Sequence, residues 1–259
     1  MVNKKVYIVL LIILAVFFVV MFCAFGIENI KQDNYESSII VGDDTLWAYS
    51  NRNWLNLTVN SNDTEFNWQK YVVYVDNEKI GNYNMWKDDK WYAFDDDRNA
   101  IPINGKLFAY QGNYDMNVLD FIEQNTTDMT YVRYILKENG LDEDSKLTSN
   151  YHITFDFDKD GRDEDFYIVS NAFPLDFEPE DSFSFAFMVK DNEVYPFYKN
   201  IKTGNSLDIC KPYYHTIVDT NNDGIYEIVL SCGNYSTSGT INMLYKYIDD
   251  EFKIVVSNQ

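Results

Sequence analysis

Histidine is nearly absent from these 259 residues: two occur, His152 and His215. No cysteine or third histidine stands at ligand spacing beside them, which argues against a nitrogen- and sulfur-ligated zinc centre. No Ser-His-Asp set, glycine-rich phosphate loop or H-E-x-x-H helix is present either, and with them go the commonest signatures of hydrolases, nucleotide binders and zinc proteases. Carboxylates are plentiful, so a glycosidase-like pair stays open. Basic side chains are scarce, 21 Lys and Arg against 41 Asp and Glu, for a net charge of −20. Phosphate binding needs clustered Lys and Arg, so nucleic acid is excluded as a partner. The acidity suits a solvated extracellular surface or one that gathers cations. Ala and Leu are sparse, whereas 21 Tyr and 18 Phe accompany abundant Ile and Val, which favours strands over helices. Hydrophobic residues at 46% are too many for a disordered acidic tail.

Charge is also missing from "VYIVLLIILAVFFVVMFCAFGI", residues 6–27. At about 1.5 Å per residue such a helix reaches about 33 Å, enough to cross a hydrocarbon core of about 30 Å. Lys4 and Lys5 precede it and an acidic domain follows. That asymmetry predicts a single-pass signal-anchor with residues 1–5 as a cytoplasmic stub and the remainder extracellular. A signal peptide cut after Gly26 is the competing reading, but the run exceeds the usual core of about 7–15 residues.

Residues 28–37 read as a polar spacer, and 38–112 as an antiparallel β meander. Turns are predicted at Asp76-Asn77, Asp88-Asp89 and Asn104-Gly105, each flanked by alternating apolar positions. Residues 113–149 read as a helical connector packed on the sheets. A helix is predicted over about 129–139, with Asp128 as N-cap, Gly140 just past its end and Val132, Ile135 and Leu136 on one face. A second helix is predicted over 117–124.

From 150 to 259 the chain repeats itself. "YHITFDFDKDGRDEDFYIVSN" from Tyr151 aligns without gaps on "YHTIVDTNNDGIYEIVLSCGN" from Tyr214, an offset of 63 residues. Each copy reads as four short antiparallel strands with an acidic loop joining the first two. Turns are expected at Asp191-Asn192 and Asp249-Asp250. That is the layout of a propeller blade. The fold class expected is therefore mainly β: an N-terminal transmembrane helix, a meander, one or two short helices, and two propeller-blade-like units.

In the first loop, carboxylates stand at positions 1, 3, 5 and 9 (Asp156, Asp158, Asp160, Glu164), with Gly161 at position 6. The second has Asp219, Asn221, Asp223 and Glu227 there, with Gly224 at position 6. Alternate positions aim oxygens at one centre while the glycine permits a sharp turn. The backbone carbonyls of Arg162 and Ile225, at position 7, would add an oxygen each. Such hard-oxygen sets suit Ca²⁺, one ion per loop, in a structural role. Acidic β-turns without metal are the plainer alternative. An EF-hand is excluded because position 12 is Tyr167 or Leu230 and a strand pattern follows.

The stretches "DFDKDGRDE" and "DTNNDGIYE" resemble the calcium loops of FG-GAP/VCBS-type β-blade repeats, found in integrin α-chain propellers and bacterial surface proteins. The resemblance covers about 110 residues. It implies Ca²⁺ at the same side chains, in blades closing into a propeller or packing as a sandwich. Only two such units are present, and the Phe-Gly and Gly-Ala-Pro signatures of the integrin form are absent.

Cys210 and Cys232 flank the second loop's strand pair, which suits a disulfide in an oxidising compartment; two buried free thiols are the alternative. The expected function is a membrane-anchored extracellular binding or scaffold protein with a protein or glycan ligand. The alternative is a cell-surface hydrolase of glycans or peptides.

Overall fold

The computed structural model describes residues 35–57, 66–112, 115–125, 128–172, 181–202, 209–233 and 240–258. The predicted stub, membrane anchor and most of the spacer lie outside them. Among the described residues no helix is long and apolar enough to cross a membrane. Glu36–Gln259 forms one compact unit. It is mainly β and antiparallel throughout.

The first sheet contains β1 (Ser37–Val41), β2 (Thr45–Ser50), β3 (Asn53–Asn56), β4 (Gln69–Val75), β5 (Glu78–Lys87), β6 (Trp91–Phe94), β7 (Ala100–Ile101) and β8 (Leu107–Gly112). Its order is β3-β2-β1-β8-β4-β5-β6-β7. Asp76 and Asn77 turn between β4 and β5 with φ of 51° and 67°, as a two-residue hairpin requires. A simple meander is not formed. β7 and β8 do not pair across Asn104-Gly105; β8 instead enters between β1 and β4. Gly105, at φ 150°, passes so close to Asp76 that a Cβ there would meet the carboxylate at 2.2 Å. Asp76 in turn accepts the Lys106 N–H at 2.9 Å, fixing the crossing.

The two repeat units are separate four-stranded meanders. One holds β11 (Ser149–Phe155), β12 (Glu164–Ser170), β13 (Phe183–Lys190) and β14 (Glu193–Ile201). The other holds β15 (Lys211–Asp219), β16 (Glu227–Gly233), β17 (Thr240–Ile248) and β18 (Glu251–Ser257). Both predicted closing turns are present, at Asp191-Asn192 and Asp249-Asp250, with φ between 51° and 67°.

The predicted helix over 117–124 is absent. β9 (Asn117–Val118) pairs with the edge strand β15, and β10 (Gln124–Asn125) with the edge strand β11. Two open sheet edges offered hydrogen bonds that outweighed local helix preference. The segment between them drops Leu119 and Phe121 against the core of the two units.

The other helix, α1 (Thr130–Glu138), buries Val132, Ile135 and Leu136 as predicted. Its end is a Schellman motif: Leu141 N–H bonds Leu136 O at 3.0 Å and Gly140 N–H bonds Lys137 O at 3.0 Å, with Gly140 at φ 70°. Met129, not Asp128, holds the N-cap position, and Asp128 accepts the Thr130 N–H at 2.9 Å from one residue earlier.

Alternation along the strands sets up four layers in the order α1, first unit, second unit, eight-stranded sheet. Tyr167, Val169, Phe185 and Phe187 of the first unit pack on α1. Phe155, Phe166, Ile168 and Met188, on its opposite face, meet Tyr214, Ile228, Leu230 and Met243 of the second unit. Val218, Val229 and Leu244, on that unit's far face, meet Ile39, Trp47 and Phe108 of the eight-stranded sheet. Beyond the β15 bulge between Tyr214 and Thr216, residues 63 apart therefore face the same way along the stack: Phe166 looks toward the second unit, and Val229 toward the sheet beyond. The units are stacked head to tail, not face to face about a two-fold axis.

Candidate metal centres

Both acidic loops lie between the first and second strands of their units, and both fold by the same set of backbone bonds. The position-2 N–H (Phe157, Thr220) donates to the position-9 carboxylate (Glu164, Glu227) at 2.8 Å in each. The position-5 N–H (Asp160, Asp223) donates to Oδ1 at position 3 (Asp158, Asn221) at 3.2 Å. The glycine N–H (Gly161, Gly224) donates to Oδ2 at position 1 (Asp156, Asp219) at 3.0 Å. The position-7 N–H (Arg162, Ile225) donates to Oδ1 at position 5 at 2.9 Å. Position 4 is left-handed in both, φ 58° at Lys159 and at Asn222, and the glycines follow at φ 88° and 93°. Each bond occupies one carboxylate or amide oxygen of the loop.

In the first loop this brings Asp156, Asp158 and Glu164 together, with one oxygen from each within 4.8 Å of the others. Oxygens on opposite sides of a Ca²⁺ ion stand about 4.6–5.2 Å apart, so the spacing fits that ion. Oδ1 of Asp156 is enclosed and has no hydrogen-bond partner, an uncompensated acceptor that a cation would satisfy. Asp160 is the outlier of the set. Its Oδ2 takes the Arg162 guanidinium at 2.8 Å, and Arg162 bridges on to Asp191 at 2.6 Å. That ion pair holds the Asp160 carboxyl below its ordinary range.

The second loop is held more tightly by protein groups. Asp219 and Glu227 are buried, and Glu227 Oε2 also accepts the Thr220 hydroxyl at 2.9 Å. Asn221 Nδ2 donates to Asp223 at 2.8 Å. Lys159 reaches across from the first loop to Asp219 at 3.3 Å and lies over the Tyr226 ring. Tyr226 N–H bonds Phe157 O at 3.2 Å, so the two loops touch.

Burial pushes the carboxyls of Glu164 and Glu227 above their ordinary range, against the opposing pull of their N–H and lysine partners. Asp223 is also subject to burial, yet the Ile225 N–H, Asn221 and Lys246 together bring it below the usual value.

Two lysines complete the loops, and the sequence reading missed them. Lys190 Nζ bonds Asp158 and lies 3.6 Å from both Asp160 and Glu164. Lys246 Nζ lies 2.8 Å from Glu227 and 3.2 Å from Asp223. They hold equivalent places. Each follows the third-strand residue that pairs with the position after Glu164 or Glu227: Val189 opposite Asp165, and Tyr245 opposite Ile228.

Asp163 and Asp165 fall outside the ligand set. Asp163 is exposed, and Asp165 binds His152 at 2.8 Å. His152 stacks on Tyr167, centroids 4.7 Å apart. His215 departs from the duplicated register because β15 bulges there. It is buried, with Nε2 bonding Leu107 O at 2.6 Å and Nδ1 facing the Ser231 hydroxyl at 3.0 Å. A carbonyl can only accept, so Nε2 carries the proton, while the Ser231 hydroxyl beside Nδ1 donates to Asn242 Oδ1. Ser231 is fully buried and cannot serve as a nucleophile for an outside substrate. Burial lowers the His215 pKa to about 4.

Cys210 and Cys232 are joined as a disulfide, Cα atoms 5.6 Å apart, at the end of the β15–β16 pair away from the loop.

An antiparallel β protein with duplicated acidic loops is the class that fold and site define. No family model, curated protein or solved structure matches the chain.

Proposed function

We propose that this chain is a membrane-anchored extracellular binding or scaffold protein whose two stacked β-units hold structural Ca²⁺. The observation that carries the reading is the matching fold of the two loops, four equivalent backbone bonds in each, with oxygens of Asp156, Asp158 and Glu164 in the first loop spaced for such an ion. In the first loop the ligands are Asp156, Asp158, Asp160 and Glu164 with the Arg162 carbonyl. In the second they are Asp219, Asn221, Asp223 and Glu227 with the Ile225 carbonyl. Asp160 joins by releasing Arg162. The head-to-tail stacking supports the blade comparison, with the eight-stranded sheet standing where a third blade would be. The apolar run at 6–27 supplies the anchor and puts the acidic unit outside, where calcium is abundant. An extracellular protein or glycan is the ligand class this location offers.

A surface hydrolase is favoured by one observation, a cavity of about 380 Å³ lined by Asp43, Asp44 and Asp76. Two of these carboxylates are already engaged, Asp44 by Lys87 at 3.3 Å and Asp76 by the Lys106 N–H. A general acid and base need two uncommitted groups, so the scaffold reading is preferred.

Thermal melting of the full chain in detergent, with millimolar Ca²⁺ and with EDTA, tests the proposal. A rise in Tm with Ca²⁺ that is reduced in Asp156→Ala and in Asp219→Ala, and lost when the two are combined, supports it. An unchanged Tm would sink it.

A further inference from the structure

We infer that Lys190 and Lys246 are tethered competitors of the loop cations, each filling its loop's centre in the ion-free state and leaving when the ion enters. The inference rests on the calcium reading of the loops and concerns what sets the affinity of those sites. An ammonium group carries its positive charge to the carboxylates that a metal would use: Asp158, Asp160 and Glu164 around Lys190, Asp223 and Glu227 around Lys246. Neither side chain is an incidental surface contact, since both are less than a quarter exposed.

The two lysines come from equivalent places on the third strand although they are 56 residues apart, off the 63-residue repeat. The connection between strands two and three differs in length between the units, and the lysine has followed the strand, not the count. An accidental ion pair would have no reason to recur at the same point of both ladders. Three carboxylates converging without a counter-charge repel one another, and the lysine removes that repulsion until an ion replaces it. Room for departure exists beside Lys246, which also lines an open cleft of about 370 Å³ with Arg52, Trp54 and Asn221.

Competition of this kind multiplies the intrinsic affinity by the fraction of loops whose lysine has already swung out. A lysine in place nine-tenths of the time weakens Ca²⁺ binding about tenfold, equivalent to about 1.4 kcal/mol. The sites would then fill only where calcium is plentiful, and the unit would stay folded without it.

Calcium titration calorimetry on the full chain in detergent, comparing wild type with Lys190→Met and Lys246→Met, is the test. Each variant is expected to bind Ca²⁺ about tenfold more tightly at one site and to melt at a lower temperature than wild type in EDTA. Variants that bind calcium when wild type does not would also support the inference. Unchanged Kd values in both variants would overturn it while leaving the calcium reading intact. An absence of binding in wild type and variants alike would overturn both. Amine acylation of the wild-type protein, read by mass spectrometry, needs no variant to fold. Lys190 and Lys246 should label faster with Ca²⁺ than with EDTA, and equal labelling would contradict the exchange.

Discussion

The N–H of Phe157 donates to Glu164 at 2.8 Å while the ring of the same residue is wholly buried in the core between the two units. Phe157 thus joins packing to the candidate site. Its ring lies 5.5–5.6 Å from those of Phe166, Tyr247 and Phe252, and its two chain neighbours, Asp156 and Asp158, carry loop carboxylates. Truncation of a large buried aromatic costs about 3–5 kcal/mol. Phe157→Ala should therefore lower stability by about that amount in urea unfolding. Thr220→Ala at the equivalent position of the second loop removes one hydroxyl bond to Glu227 and should cost only about 1 kcal/mol. Equal losses in the two variants would contradict this anchoring.

His215 gives the unit an acid sensitivity of known sign. Its pKa is lowered from 6.5 to about 4 by burial, so the unfolded chain takes up a proton before the folded one does. Stability is full above about pH 6.5 and falls as the pH drops toward 4, by about 3 kcal/mol in total. His215→Gln should lower stability at pH 7, because the Leu107 and Ser231 partners lose their fit, and flatten the slope between pH 6.5 and 4. Urea midpoints measured across that range in both proteins report it; an unaltered slope would rule out His215 as the source.

Cys210 and Cys232 close a loop spanning 22 residues around the second acidic loop. A bridge of this size contributes about 3 kcal/mol by restricting the unfolded chain. Dithiothreitol should lower the Tm of the wild type and leave a Cys210→Ser/Cys232→Ser variant unmoved. Non-reducing peptide mapping should recover the two cysteines in one linked species.

Gly161 has open space around it, so a methyl group there would meet nothing. Its φ of 88° is the obstacle. Gly161→Ala should cost about 1–2 kcal/mol from backbone strain alone, and Gly161→Asn less, because Asn tolerates left-handed geometry. Thermal melts of the two variants check the order.

Wherever the pattern was local, the sequence was a sufficient guide. The turn pairs Asp76-Asn77, Asp191-Asn192 and Asp249-Asp250 carry their own backbone preferences, and the Val132, Ile135 and Leu136 stripe marks one helix face. The 63-residue repeat exposed both loops. What could not be read was decided between distant strands. Residues 117–124 have helical preferences, but the open edges of β15 and β11 claim their ends. Asn104-Gly105 has the chemistry of a hairpin, yet Gly105 turns there because β8 must slip past Asp76. Lys190 and Lys246 escaped notice because unequal connections shift them off the repeat. A search for a basic residue on each third strand, at the level of the loop's last carboxylate, would have found them.

The central claim is that each acidic loop takes one Ca²⁺ ion, and equilibrium dialysis of the full chain in detergent with ⁴⁵Ca²⁺ tests it most directly. The account predicts two ions bound per chain with Kd of about 10⁻⁴ to 10⁻³ M, the range of extracellular modules, falling to one in Asp156→Ala and one in Asp219→Ala. No bound calcium at several times that concentration would contradict it, and would leave the loops as acidic turns neutralised by their own lysines.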